Sequence, residues 1–230
     1  TTVAVSKRKR PATAARRAPA ARLVADIGGT NARFALFERG AIVGEQVLAC
    51  AAYPDLASAI EHYLAGTGRQ RARWPRDAAI AIAGPLVGDR VAMTNHVWSF
   101  SAAATRRALK FRRLVLLNDF TALALAIPHL GRESLQQIGG ADPLGDSAIA
   151  VLGPGTGLGV SGLVPIARHY VPLQGEGGHV TLPATTDREF AILQRLQQRF
   201  VHVSAERVLS GPGLALLHET ICDLDGVRRE

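Results

Sequence analysis

The chain has 230 residues, of which 47% are hydrophobic, ample for a sizeable core in one large or two modest domains, so general disorder is excluded. Its formal net charge is +8, from 27 Lys+Arg against 19 Asp+Glu, a balance that by itself points to nucleic acid or an anionic membrane as partner. The distribution removes that implication. Lys7, Arg8, Lys9, Arg10, Arg16, Arg17 and Arg22 stand without an acid in residues 1–22, and the rest of the chain carries 20 basic side chains against 19 acidic ones. The excess belongs to an Ala/Pro/Arg-rich leader, expected to be disordered, and no basic binding face is expected on the body, which leaves nucleic acid at most a nonspecific ligand of the leader. Cys50 and Cys222 are too few for a disulfide framework and lack a zinc-type spacing with His, which suits a reducing cytoplasm. Apolar runs such as Leu114 to Leu117 and Ala122 to Ile127 fall far short of the roughly 18 to 20 residues of a membrane span, so no membrane partner is expected. Only Leu23-Val24-Ala25 follows the leader before Asp26, and the apolar middle of a secretory signal is missing.

In chain order, Leu23 to Ile27 reads as a short buried strand, Gly28 to Asn31 as a tight turn and Ala32 to Phe37 as a second strand. Glu38-Arg39-Gly40 turns the chain into a third, Ala41 to Leu48, so the opening is three strands joined by short hairpins. Pro54 suits a first helical position, and Leu56, Ile60, Tyr63 and Leu64 form one apolar face of a helix ended by Gly66 and Gly68. Ala78 to Ala83 and Arg90 to Met93 read as strands around the Gly84-Pro85 and Gly88-Asp89 turns. Ser101 caps a helix to Lys110. Leu114 to Leu117 is a buried strand ending at Asn118-Asp119, after which Thr121 to Ile127 is helical until Pro128. Beyond Gly131 glycine-rich turns recur, and Ser147 to Leu152 with Leu158 to Val164 brackets the loop Gly153 to Gly157. Asp187 caps a helix with Phe190, Leu193, Leu196 and Phe200 in one stripe, and Pro212 begins another with Leu214, Leu217 and Ile221 inward. These elements predict a basic leader over 1–22, a small α/β domain over 23–129 and the first part of a larger α/β domain over 130–230.

Two glycine-rich turns each follow a buried strand: Asp26-Ile27-Gly28-Gly29-Thr30-Asn31 and Gly153-Pro154-Gly155-Thr156-Gly157-Leu158-Gly159. Glycine lets successive backbone N–H groups converge on one point and a hydroxyl adds a donor, which is how a turn cradles phosphate. Neither is a P-loop, because the only lysines, Lys7, Lys9 and Lys110, stand beside no glycine. The formal Gly157-x-Gly159-x-x-Gly162 pattern leads into strand and proline instead of a helix, so it is no dinucleotide fingerprint. Either turn alone reads better as an ordinary hairpin. The pair, with Asp26 at the mouth of the first, points to a divided phosphate site with a metal ion. A second constellation gathers carboxylates and amides: Asn118-Asp119 at a strand end, Gly175-Glu176-Gly177-Gly178-His179, and Ser204-Ala205-Glu206-Arg207. Taken singly, Asp119 also reads as a helix cap, Glu206 as the ion-pair partner of Arg207, and His179 as a structural histidine. Together they are rich in acceptors and poor in cations, which suits a neutral polyhydroxylated ligand whose hydroxyls donate to carboxylates and accept from amide or imidazole.

The chain resembles bacterial glucokinases of the non-repressor type, within the hexokinase, actin and Hsp70 superfamily of sugar kinases and ATPases. Six strings carry the resemblance in the family's order: Asp-Ile-Gly-Gly-Thr-Asn-Ala-Arg (26–33), Val-Ala-Met-Thr-Asn-His-Val-Trp (91–98), Asn-Asp-Phe-Thr-Ala (118–122), Gly-Thr-Gly-Leu-Gly (155–159), Gly-Glu-Gly-Gly-His-Val (175–180) and His-Val-Ser-Ala-Glu-Arg-Val-Leu-Ser-Gly-Pro-Gly (202–213). No cysteine follows His179 at the place where the related repressor/kinase branch has its zinc motif, so the resemblance is to the zinc-free branch. It implies a ribonuclease H-like (actin-like ATPase) two-domain α/β sugar kinase that phosphorylates D-glucose at the 6-hydroxyl with ATP and Mg²⁺. Asp119 would be the general base, with Asn118, Glu176, His179 and Glu206 holding the other hydroxyls. Asp26 would orient the metal through water, Gly28, Gly29, Thr30 and Asn31 would line the first phosphate turn, and Gly155, Thr156 and Gly157 would close from the other domain. A homodimer is implied as well. Family members are longer at the C-terminal end, so the second domain is expected to be incomplete, and a glucose-binding or regulatory fragment without a full ATP site is the alternative.

Overall fold

The structure, a computed structural model, describes residues 20–84, 86–93, 98–140 and 144–228. The basic leader up to residue 19 and the Thr94-Asn95 part of the second motif string lie outside the described residues. The chain divides into two compact units, the first running to Ile80 and taking in Val87–Val115, the second made of Ala81–Leu86 and Leu116 onward. The division thus passes through three strands, whereas the change of composition in the sequence falls near residue 130.

In the first unit, β1 (Arg22–Ile27), β2 (Asn31–Glu38) and β3 (Ala41–Ala49) form an antiparallel meander. The β2–β3 connection places Arg39 at φ 50° and Gly40 at φ 87°, the left-handed pair whose twist matches that of the flanking strands. Helix α1 (Leu56–Gly66) then crosses to β4 (Asp77–Ile82), and β8 (Arg113–Asn118) completes a sheet in the order β3-β2-β1-β4-β8, once β5 (Leu86–Val87), β6 (Arg90–Ala92), β7 (Ser99–Ser101) and α2 (Ala102–Ala108) have intervened. The side chains in cross-strand register, Leu23 with Leu36, Ala25 with Phe34 and Ile27 with Ala32, share one sheet face. Against it α1 buries Leu56, Ala59, Ile60, Tyr63 and Leu64, with the Tyr63 ring stacked on Phe34 at 5.4 Å and its hydroxyl donating to Gly44 O at 2.8 Å. The opposite face carries Asp26, Arg33, Ile42 and Val47 along an open groove of about 560 Å³.

The second unit holds a sheet of β9 (Ile149–Pro154), β10 (Leu158–Ile166) and β11 (His169–Leu173) in the order β11-β10-β9. Helix α3 (Asp119–Ala126) lies on it, where Ala124, Val151 and Leu163 are buried with Phe120, Leu125, Ile127 and Ile149 packed around them. A second cluster, Leu196, Val203 and Val208, joins α4 (Asp187–Gln197) to α5 (Gly211–Asp225). Among the described residues no helix is long and apolar enough to cross a membrane.

Local details depart from expectation in ways that capping explains. Pro54 precedes α1 instead of opening it, because Asp55 accepts from Ser58 N–H at 2.7 Å and so becomes the cap. Asp187 is the first residue of α4, since Thr186 caps it in a reciprocal box with Glu189. Phe190 and Leu214 are corrections: both are more than half exposed, and the inward positions of their helices are Ile192, Leu193, Leu196, Leu216 and Leu217. Strand β11 was not anticipated. It carries Pro172 on an edge strand, and Pro165 stands next to the end of β10, places where proline is tolerated.

Candidate active site

The first glycine turn is fixed from within and from behind. Gly28 N–H donates to Asn31 O at 2.9 Å, closing the turn between β1 and β2. Cys50, fully buried after β3, donates its own N–H to Thr30 O at 2.9 Å and its thiol to Gly28 O at 3.4 Å. Burial pushes the Cys50 thiol above the ordinary range, with its backbone hydrogen bond acting the other way. Because Gly28 N–H closes the turn, the backbone donors the turn can offer a phosphate are those of Gly29 and Thr30, with the Asn31 amide as a side-chain donor. Asp26 stands opposite Arg33 in the β1–β2 register and receives Arg33 Nη1 at 3.1 Å, both side chains more than half exposed. An ion pair so exposed is worth at most about 1 kcal/mol, so it yields readily to a competing cation. Among the described residues no group of three or more His, Cys, Asp or Glu gathers as a metal cage. A single exposed carboxylate fits Mg²⁺, which keeps most of its waters and binds through one or two carboxylates together with substrate phosphates.

In the second unit, β8 ends at Asn118, whose side chain caps α3. Asn118 Oδ1 accepts from Phe120 N–H at 3.0 Å and Thr121 N–H at 3.1 Å, while Nδ2 donates to Gly84 O at 3.3 Å. The cap is therefore Asn118, and Asp119 is the first helical residue, with Oδ1 accepting from Phe120 N–H at 2.9 Å. One backbone donor thus orients both of the polar side chains at the strand end.

The second glycine turn and the sugar-type residues meet in the same unit. Gly155 N–H donates to Gly157 O at 2.8 Å, and Gly155 O accepts from Gly211 N–H, the first residue of α5, at 2.8 Å. Glu206 does not pair with Arg207, whose guanidinium lies over the Phe200 ring at 4.5 Å. Instead Glu206 Oε2 accepts from Leu158 N–H at 2.9 Å, so close to the turn that a side chain at Gly157 would meet the carboxylate. His179 Nε2 stands 4.0 Å from Glu206 Oε1. The short 3-10 turn Gly177–His179 hangs from Glu176 O through His179 N–H at 3.0 Å. Ala205 N–H to Val180 O at 2.9 Å and the Thr181–Ser204 bridge draw the two loops together. Glu176, His179, Glu206 and the Gly155–Gly157 turn are thus carried by one hairpin and its neighbours, with Glu176 and His179 exposed. Asp26 and residues 28–31 belong to the other unit.

Sequence reasoning missed Phe120. Its ring lies across Gly153 and Gly159, which face each other in the β9–β10 register, and a Cβ at either glycine would clash with the ring. The alternation of glycines from 153 to 159 was the available signal, but it was read for phosphate alone.

Compared with known proteins, the family model described as Glucokinase matches residues 23–230. The glucokinase of Chromobacterium violaceum is 52% identical over 207 residues, 89% of this chain and 58% of that protein. Among solved structures, glucokinase from an Antarctic psychrotroph is 38% identical with a TM-score of 0.78, covering 91% of this chain and 66% of that one. The Balamuthia mandrillaris glucokinase solved with glucose shares the fold at 19% identity and a TM-score of 0.67, covering 91% of this chain and 64% of that one. The chain therefore has the α/β fold of the sugar kinases of the actin-like ATPase type. It belongs to the glucokinase family, and it spans about three fifths of the length of the curated glucokinases it matches.

Proposed function

We propose that the chain phosphorylates D-glucose at the 6-hydroxyl with ATP. The observation that carries this reading is the strand end at Asn118-Asp119, where a carboxylate at the first position of α3 is oriented by a backbone N–H that the adjacent amide shares. In the proposed step Asp119 takes the proton of the 6-hydroxyl as O6 bonds to the γ-phosphorus. The bond from that phosphorus to the bridging oxygen breaks, and ADP leaves with the electron pair. Little covalent work falls to the protein, so catalysis rests on positioning and charge stabilisation. Asn118 Nδ2, Glu176, His179 and Glu206 hold the remaining hydroxyls, a set with acceptors for sugar O–H groups and an amide donor in return. Gly155, Thr156 and Gly157 in the second unit and Gly29, Thr30 and Asn31 in the first offer backbone and side-chain donors to phosphate oxygens. Gly28 serves by closing its turn. Asp26 would hold Mg²⁺ through water, and the ion would neutralise phosphate charge there.

The test is direct: glucose 6-phosphate formation, coupled to its dehydrogenase, with Mg-ATP and this chain at high concentration. Sustained glucose-dependent turnover supports the reading. Absence of turnover with retained, saturable glucose binding favours instead a sugar-binding module, for which the Glu176, His179 and Glu206 cluster is the supporting feature. Absence of both overturns the sugar assignment.

A further inference from the structure

We infer that Phe120 is a positioning residue, which uses a paired-glycine seat on the β9–β10 hairpin to lock the Asn118-Asp119 end of β8 to the hairpin that carries the second glycine turn. The inference rests on the proposed function for what is positioned, but its own basis is steric. Gly153 and Gly159 are cross-strand partners. A Cβ built on Gly153 meets Cζ and Cε1 of Phe120, and one built on Gly159 meets Cε2, Cδ2 and Cζ, so the ring spans both strands where side chains would otherwise stand. The same residue's N–H is shared by Asn118 Oδ1 at 3.0 Å and Asp119 Oδ1 at 2.9 Å. Ring and amide together tie two elements far apart in sequence. Gly155–Gly157, which close on themselves, lie between the two seat glycines in the chain, and Glu206 holds the same hairpin at Leu158 N–H. Moving the ring therefore moves the start of α3 relative to the turn, and with it the carboxylate proposed to take the proton. Misplacing a reacting group by about 1 Å costs on the order of 100-fold in rate, whereas among the residues proposed to hold sugar hydroxyls only Asn118 shares the displaced strand end.

The experiment compares Phe120→Tyr, Phe120→Ala, Gly159→Ala and the Phe120→Ala/Gly159→Ala pair in the full chain. Two readouts are taken: amide hydrogen exchange at Phe120 and Thr121, and kcat against KM for glucose in the coupled assay. Phe120→Tyr keeps a ring in the seat, so near-normal protection and turnover are expected. Gly159→Ala is expected to weaken protection at the two amides at least 10-fold and to lower kcat about 10- to 100-fold, with KM for glucose changed less than threefold. Without the ring the three atoms nearest the added methyl are gone, so Gly159→Ala in the Phe120→Ala background is expected to be almost silent in both readouts. Equal effects of Gly159→Ala with and without the ring, or unchanged exchange at Phe120 and Thr121, would overturn the inference. The exchange pattern decides it even where the chain shows no turnover, an outcome that would count against the proposed activity alone.

Discussion

Replacing Asn118 separates its part in building α3 from its proposed contact with sugar. In Asn118→Ala the cap is lost, but not uniformly: Phe120 N–H keeps Asp119 Oδ1 at 2.9 Å, whereas Thr121 N–H loses the acceptor at 3.1 Å and belongs to a residue only 1% exposed. Loss of an N-cap costs about 0.5–2 kcal/mol, and a buried donor left without a partner lies toward the upper part of that range. The Nδ2 bond to Gly84 O, long at 3.3 Å, adds about 0.5 kcal/mol. The expected destabilisation is about 2 kcal/mol, which for a chain of this size lowers Tm by about 4–8 °C. Asn118→Ser keeps an equally good cap without adding charge and gives up the amide donor to Gly84, so it should lose less than half as much stability while still losing the amide donor offered to a sugar hydroxyl. Urea unfolding followed by circular dichroism, alongside glucose binding by calorimetry, gives both quantities. Stability of Asn118→Ala within about 0.3 kcal/mol of wild type, or Asn118→Ser as damaging as Asn118→Ala, would refute the capping role.

Three further outcomes follow from the packing and the ionisable groups. Leu163→Ala, at a fully buried position among Ala124 and Val151, should cost about 2–5 kcal/mol with an unchanged urea m-value, and a cost below 1 kcal/mol would show that the α3 sheet face is not the core described. Asp77 and Asp225 are held below the usual carboxylate range chiefly by hydrogen bonds from Arg112 and Arg188, and Glu189 chiefly by the Thr185 hydroxyl. Groups whose folded pKa is depressed stabilise above the unfolded carboxylate range and lose that contribution as pH falls through the folded values. Stability should therefore be flat near neutrality and decline below about pH 4.5, and a rise on acidification would contradict the pairing. Cys50, buried and with its thiol pushed up by that burial, should resist alkylation in the native chain and react on unfolding. Fast native modification mapped to Cys50 would show that the support behind the first glycine turn is open.

The first three strands were legible because each was bounded by a turn with its own chemistry, and α1 because Leu56, Ile60, Tyr63 and Leu64 mark one stripe that the structure buries. The two later stripes hold at Leu193, Leu196, Phe200 and Leu217 and fail at Phe190 and Leu214. Each helix meets its neighbours over a narrow contact, so periodicity alone did not say which of several apolar positions faces inward. At the candidate site the residue types were readable, but their partners were not. Glu206 finds Leu158 N–H from 48 residues away instead of its neighbour Arg207, and Phe120 finds two glycines that only the β9–β10 register brings opposite each other. Asn118 rather than Asp119 became the cap because an amide can both accept from the helix and donate to Gly84, a double use that leaves the carboxylate at the first helical position.

The proposed role of Asp119 as the base in glucose phosphorylation is tested most directly by kcat of Asp119→Ala beside wild type in the coupled assay, with glucose affinity measured on the same samples. Turnover lowered at least about 100-fold, with glucose affinity largely retained, is expected. Turnover by Asp119→Ala near the wild-type rate would contradict it.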